Sequence, residues 1–493
     1  MATALDISQL RFQYKGADRP CLDGISLTLE TGHALAVTGP AASGKTSFCL
    51  CLKGLIPQAR EGKLSGSIHT LGKDVSQFRA QTLSRETALV LQDPEVQIVG
   101  RTVFEDLAFG PRNFLVPAEE IREEIPRVLE AVGMAGYEER ATMELSGGEK
   151  QRLAVAGALM TRPRLLILDD PASELDPDGR ARLYALLRRL KDRGTSLVIV
   201  DSRLDEMGDL IDQLLVLDQG RCAYAGPRKG APAPPRIQLP RPRPRPTDTA
   251  AAVKINNLDF SYNGTHPILS RAGLTLPRGG FTALMGRNGA GKTSLVKHLN
   301  GLIPCGPGKI QILDRDITDF KSKELTRTVG FVFQNPDHQI FESSVEKEIA
   351  FGLSNRGLDK REIQDRVDQT LDQTGLASVR SHHPFTLGKG MRQMIAVASI
   401  LALDPAILIV DEPTTGLDPE GAARVMELIQ NRHAQGTSIL FISHDLNLVL
   451  AHAQRLALMD RGKIILDSPV DELHSHGDLL ARAGISAPQG KTA

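Results

Sequence analysis

Gly286-Arg287-Asn288-Gly289-Ala290-Gly291-Lys292-Thr293 has the residue types and spacing that hold a chain of phosphates. Glycines let backbone amides curl around an anion, the lysine brings a cation to the terminal phosphates, and the threonine hydroxyl is a ligand for magnesium. Phe281-Thr282-Ala283-Leu284-Met285 just before it reads as a strand, and a helical stretch follows, which is the setting such a loop requires. The spacing occurs a second time, in Gly39-Pro40-Ala41-Ala42-Ser43-Gly44-Lys45-Thr46. The chemistry on offer at both places is the binding of a nucleoside triphosphate with its metal ion.

The elements that must position these loops read as α/β. Ala34-Leu35-Ala36-Val37-Thr38 and Leu165-Leu166-Ile167-Leu168 are short continuous apolar runs, as expected of buried parallel strands. The chain also repeats itself. Leu10-Arg11-Phe12-Gln13-Tyr14 is echoed by Leu258-Asp259-Phe260-Ser261-Tyr262, Gly54-Leu55-Ile56-Pro57 by Gly301-Leu302-Ile303-Pro304, and Gly286 lies 247 residues after Gly39. Between the copies, Pro240-Arg241-Pro242-Arg243-Pro244-Arg245-Pro246 excludes a helix or a central strand and predicts an extended, solvated tether.

Composition bounds the rest. The 493 residues suit two domains, and 41% apolar with 24% charged residues is the balance of a globular protein with real cores. Lysine plus arginine equals aspartate plus glutamate at 59 each, so the basic excess of a nucleic-acid binder is missing. No run of 18 apolar residues predicts a membrane span, and Met1–Tyr14 has no secretory pattern, so a cytoplasmic location is expected. Cys21, Cys49, Cys51, Cys222 and Cys305 are expected to be plain thiols, and His382-His383 and His474-x-His476 to be solvated rather than metal ligands.

Downstream strings carry a family resemblance. Leu145-Ser146-Gly147-Gly148-Glu149-Lys150-Gln151-Arg152 resembles the signature motif of the ABC ATPases. Leu166-Ile167-Leu168-Asp169-Asp170-Pro171 and Leu408-Ile409-Val410-Asp411-Glu412-Pro413 resemble Walker B strands, followed by D-loops ending in Asp176 and Asp418. Gln92 and Gln334 fall at the Q-loop, and Phe441-Ile442-Ser443-His444-Asp445 resembles the switch-histidine segment. Spacing agrees between the copies: 53 residues from Gln92 to Leu145 and from Gln334 to Leu387, 24 onward to Asp169 and Asp411, then 33 to Ser202 and His444. The resemblance implies an α/β protein of two P-loop NTPase domains of ABC type. Each would have a mostly parallel core sheet, an antiparallel β subdomain and a helical signature subdomain. They would span residues 1–225 and 253–485, with a Pro/Arg-rich linker at 226–252 and a tail at 486–493. It also implies ATP and Mg2+ as cofactors, hydrolysis to ADP and phosphate, and intramolecular pairing of the two domains. In that pairing each ATP lies between the Walker motifs of one domain and the signature of the other.

Carried over residue by residue, the second site has Gly286, Asn288, Gly289, Gly291, Lys292, Thr293, Ser294, Gln334, Asp411, Glu412 and His444, opposite Ser146, Gly147 and Gly148. By resemblance Tyr262 stacks on adenine, Thr293, Gln334 and Asp411 attend magnesium, and Glu412 polarises the attacking water. Lys292, Gln334 and His444 complete the catalytic set. The first site has Tyr14, Gly39, Gly44, Lys45, Thr46, Ser47, Gln92 and Asp169, with Thr46, Gln92 and Asp169 at the metal. It departs from the family in Asp170 for glutamate, Ser202 for histidine, and an opposing signature that reads Leu387-Gly388-Lys389-Gly390. Aspartate is one methylene short, and a displacement of about 1 Å costs on the order of 10²-fold in rate. The expectation is a degenerate first site that binds nucleotide and turns it over slowly or not at all.

Beyond the Q-loop, Gln334-Asn335-Pro336-Asp337-His338-Gln339, echoed by Gln92-Asp93-Pro94-Glu95-Val96-Gln97, resembles the pattern of the energy-coupling factor importers of vitamins and metal ions. There, two ATPases sit beneath a transmembrane coupling protein and a small substrate-binding membrane protein. The implied location is peripheral, at the cytoplasmic face of the cell membrane, with no nucleic-acid partner. A fused sugar-importer ATPase and a soluble tandem ABC ATPase acting on ribosome or DNA are the other readings of the same motifs.

Overall fold

The computed structural model describes residues 2–40, 43–77, 83–173, 175–201, 203–231, 250–262, 264, 267–415, 417, 419–483 and 485. The chain forms two compact units, Met1–Pro235 and Arg236–Ala493. Arg241, Arg243 and Arg245 of the proline-rich run, and the tail 486–493, lie outside the described residues, as do Ala41, Ala42, Ser202 and Asp418.

Each unit carries the same two sheets. In the first, β1 (Thr3–Tyr14), β2 (Leu22–Glu30), β4 (Gly62–Thr70) and β5 (Lys73–Asp74) form an antiparallel sheet in the order β2-β1-β4-β5. The core sheet takes β3 (Ala34–Thr38), β6 (Thr87–Val90), β7 (Leu165–Asp169), β8 (Ser196–Val200), β9 (Gln213–Asp218) and β10 (Arg221–Pro227) in the order β10-β9-β3-β8-β7-β6. All neighbours in it are parallel except β9 and β10. The second unit repeats this with β11 (Ala251–Phe260), β12 (Leu269–Pro277), β14 (Ile310–Ile312) and β15 (Arg315–Asp316) in one sheet. The other sheet orders β16 (Val329–Val332), β17 (Ile407–Asp411), β18 (Ser438–Ile442), β13 (Phe281–Gly286), β19 (Arg455–Asp460) and β20 (Lys463–Pro469).

The apolar runs become fully buried strands because both sheet faces are covered. Alternation sorts their side chains: Leu166 and Leu168 of β7 join the core formed with the helices, whereas Leu165 and Ile167 join the core shared with the antiparallel sheet. In β17 the same split places Leu408 and Val410 on one side and Ile407 and Ile409 on the other. Such a strand has one fixed register, since a slip of one residue would exchange its two faces. Its last residue therefore arrives at a fixed place, and in both units that residue is the aspartate of the acidic pair.

A helical layer stands beside each core sheet. In the first unit, helices Val103–Asn113, Ala118–Ala131 and Gly147–Leu159 turn Val103, Leu107, Ile121, Ile125, Leu129 and Leu153 into one core, with apolar residues spaced three or four apart. Val345–Arg356, Lys360–Thr374 and Lys389–Leu401 do the same in the second. All five cysteines carry free thiols, and Cys49 and Cys51 are buried in the short helix after the first phosphate loop. Among the described residues no helix is long and apolar enough to cross a membrane.

Candidate functional site

The glycine-rich loops join β3 to helix Lys45–Leu52 and β13 to helix Lys292–Leu299. Their glycines are fixed by geometry. Gly286 has φ 152° and Gly291 φ 102°; a Cβ on Gly286 would stand 2.2 Å from the Met459 carbonyl oxygen. At Gly289, φ 78°, a Cβ would meet nothing within 4 Å, so the mouth of the loop is open. Lys292 Nζ donates to the carbonyls of Gly286 (2.8 Å) and Arg287 (3.1 Å), and Lys45 Nζ to those of Gly39 (2.7 Å) and Pro40 (2.6 Å). Each ammonium is therefore held over its own loop, next to the helix N-terminus that favours an anion.

The buried acids meet these helices. Thr46 Oγ1 donates to Asp169 Oδ2 at 2.6 Å, and Thr293 Oγ1 to Asp411 Oδ2 at 3.0 Å. Burial, and in the second unit the adjoining Glu412, pushes both aspartates above the usual carboxyl range against these hydrogen bonds. A hydroxyl and a carboxylate converging where negative charge is disfavoured are hard oxygen donors suited to magnesium. Tyr14 OH and Ser47 Oγ are 2.8 Å apart, Tyr262 OH and Ser294 Oγ 3.3 Å. Both tyrosines thus stand over the first turn after the loop, and Tyr262 is 58% exposed.

Sheet order brings the remaining residues together. β7 and β8 are parallel neighbours, as are β17 and β18, so the residues just past their ends face each other at the carboxyl edge of the sheet. In the second unit this places His444 Nε2 2.5 Å from Glu412 Oε1. Burial would raise the Glu412 carboxyl, but His444, Lys292 and a hydrogen bond from Thr415 outweigh it and hold it below its ordinary value. Glu412 is thus kept ionised at φ 47°, a left-handed backbone that a non-glycine residue adopts only where the surroundings enforce it. Gln334 is half-buried at the start of the segment that follows β16.

The first unit has the same backbone and different partners. Asp170 stands at φ 50°, and its amide bonds the Val200 carbonyl as that of Glu412 bonds Ile442. Its carboxylate accepts from Gln92 Nε2 at 3.2 Å and lies 3.9 Å from Arg203 Nη1. Ser202, the expected counterpart of His444, is outside the described residues. Arg203 was not singled out by the sequence, and neither were Asp201 and Tyr184, which hold it. Arg203 Nη1 is 3.2 Å from Asp201 Oδ1, and Tyr184 OH donates to Asp201 Oδ2 at 2.8 Å. Comparing the copies position by position would have flagged all three, because Met426, Ser443 and Asp445 stand at the corresponding places.

The signatures also differ. Ser146 caps helix Gly147–Leu159 in a reciprocal capping box: Glu149 Oε2 accepts from the Ser146 amide and hydroxyl, each at 2.8 Å. Ser146 and Gly147 remain exposed and Gly148 is buried. Gly388 begins helix Lys389–Leu401 with no side-chain cap. The segment after each Q-loop glutamine is tied down internally. Asp337 takes a two-pronged ion pair from Arg392 (2.6 and 3.0 Å), and Glu95 pairs with Lys150 at 2.5 Å. Gln339 and Gln97 accept the amides of Phe333 and Leu91. The polar residues of the Asn-Pro-Asp-x-Gln pattern therefore shape the segment, and what they present outward is apolar. Phe341 and Phe351 pack edge to face at 4.6 Å and are 60% and 42% exposed; Val99 and Phe109, at the corresponding positions, are 60% and 54% exposed.

The family model described as "ABC transporter" matches residues 22–173 and 269–415. An ABC transporter ATP-binding protein of Methanosarcina acetivorans, provisionally so named, is 34% identical over 98% of this chain and 88% of its own. YkoD of Bacillus subtilis, provisionally named an HMP/thiamine import ATP-binding protein, is 33% identical over 98% of this chain and 95% of its own. Among solved structures, CbiO1 of Clostridium perfringens, described as part of the ABC transporter complex cbiONQ, is 31% identical. It covers 47% of this chain and 94% of its own, with a TM-score of 0.42.

Proposed function

The chain belongs to the ABC transporter family, whose ATP-binding domains are ATPases, and from that premise we propose that it is the fused energy-coupling subunit of an importer of the energy-coupling factor type. The exposed apolar pair after each Q-loop supports this reading most directly. Large apolar side chains left in water at matched places on both units, Val99 and Phe109 on one and Phe341 and Phe351 on the other, mark a docking surface, one on each unit, for a partner. The turn that presents Phe341 is fixed, since buried Glu348 accepts the amides of Phe341 and Glu342; Asp106 does the same for Val99 and Gly100. A transmembrane coupling protein is the partner that fits, with a small substrate-binding membrane protein beside it, the chain lying at the cytoplasmic face of the membrane. The likeness to YkoD points to a vitamin precursor or vitamin as the class of cargo.

Hydrolysis is assigned to the second copy. Glu412, ionised and oriented by His444, accepts the hydrogen bond of the attacking water, while Lys292 and the loop amides from Gly286 to Gly291 hold the transferred phosphoryl group. Thr293, Asp411 and Gln334 there, and Thr46, Asp169 and Gln92 in the first copy, would hold magnesium, which neutralises phosphate charge. The first copy binds ATP through Lys45 and Thr46 and turns it over slowly, because Asp170 is short and engaged elsewhere. Ser146, Gly147 and Gly148 of the intact signature are further nucleotide-binding residues, whereas Gly388-Lys389 departs from that signature.

Affinity purification of the tagged chain from gently solubilised native membranes tests the assignment. Two small multi-span membrane proteins should come with it. Recovery with ribosomal proteins, or wholly from the soluble fraction, would overturn the importer reading.

A further inference from the structure

We infer that Arg203 is a positioning residue of the first nucleotide site, where it neutralises Asp170 and so lets that copy hold ATP. The inference rests on the reading that the first copy binds nucleotide. Its basis is a set of side chains that differ together between the copies. Asp201 and Ser443 both close the same turn, accepting the amide two residues on: Arg203 N–H to Asp201 Oδ1 at 2.9 Å, Asp445 N–H to Ser443 Oγ at 3.0 Å. A serine therefore suffices for the turn. The first copy instead places a carboxylate there, 3% exposed, and supplies what a buried charge requires: the Tyr184 hydroxyl, where the second copy has Met426, and the Arg203 guanidinium, where it has Asp445.

Asp201 thereby aims the guanidinium along the carboxyl edge of the sheet. Its Nη1 sits 3.2 Å from Asp201 and 3.9 Å from Asp170. In the second copy the partner of the corresponding acid is the His444 imidazole; in the first it is a guanidinium, which is always charged. Gln92, from the Q-loop, bonds the same Asp170 carboxylate. Asp170 is adjacent to Asp169, the partner of Thr46 at the phosphate loop, so its charge, without Arg203 to balance it, would face the terminal phosphate of ATP and not reach the shorter ADP. A neutralised Asp170 removes that repulsion.

The test uses the full chain carrying Lys292→Ala, which disables the phosphate loop of the second copy, and reads equilibrium affinity for Mg-ATP and Mg-ADP. Arg203→Met should weaken ATP at least about tenfold and leave ADP within about twofold. Asp170→Asn added to Arg203→Met should restore ATP affinity, and Arg203→Lys should keep it. Equal loss of both nucleotides, no loss, or no rescue by Asp170→Asn would overturn the inference and leave Arg203 as a structural partner of Asp201. If the Lys292→Ala parent binds neither nucleotide, the reading of the first copy as a nucleotide site fails, and the inference falls with it.

Discussion

Glu412 and Asp170 directly follow corresponding strands, β17 and β7, in the same left-handed backbone, so the two copies differ there only in side-chain reach and partner. The longer carboxylate meets an imidazole at 2.5 Å; the shorter one meets Gln92 and, less closely, a guanidinium. Removing the base from the competent copy should therefore cost far more. Glu412→Gln is expected to lower the rate of phosphate release at least about 10²-fold, and Asp170→Asn less than about threefold. Equal losses would contradict the asymmetry. His444→Ala should also lower the rate, since a buried Glu412 without that partner is pushed toward the protonated form. Most of these residues were legible in the sequence because fixed spacings recur in both copies. Arg203 was not. It lies one position past the switch, Tyr184, which bonds its partner Asp201, is on another element, and Asp170 comes within reach only once β7 and β8 stand side by side.

Elements explain why matching spacing does not give matching stability. The helix after the first signature starts with a complete capping box and its counterpart starts with Gly388, facing Met391 where the first copy has Glu149. Ser146→Ala should lower the stability of the first unit by about 1 kcal/mol, read from chemical denaturation followed by a probe placed in that unit. A pH dependence belongs to this scale too. Lys53, just past helix Lys45–Leu52, is buried against Thr87, and burial lowers its pKa to about 8. Between that value and the unfolded lysine value the unfolded chain binds more protons, so the penalty is present at neutral pH and fades as pH rises. The difference in thermal midpoint between Lys53→Met and the parent chain should shift in favour of the parent from pH 8 to pH 10. A constant difference would refute the linkage. The buried strands were readable as apolar runs. The capping contrast was readable only in part, because Gly388 was seen as a lost signature serine and its effect on the helix start depends on Met391 as well.

At the scale of the whole molecule the two units share topology, phosphate loops and a matched apolar surface after each Q-loop, while differing in their acidic ends. Equal numbers of acidic and basic residues give no long-range attraction to an anionic polymer, so recognition must be carried by local surfaces. Exposed Phe341 and Phe351 are such a feature on the second unit, and burying two aromatic rings against a partner is worth several times what a rim contact gives. The pair lies outside the phosphate loop and away from Glu412 in sequence, and its polar neighbours Asp337 and Gln339 already have partners inside the fold. Replacing both rings by serine should therefore leave ATP hydrolysis by the isolated chain within about twofold of the parent, with membrane proteins no longer co-purifying. Loss of hydrolysis alongside loss of capture would mean that the rings support the Q-loop; capture that survives the substitution would mean that the membrane partner docks elsewhere.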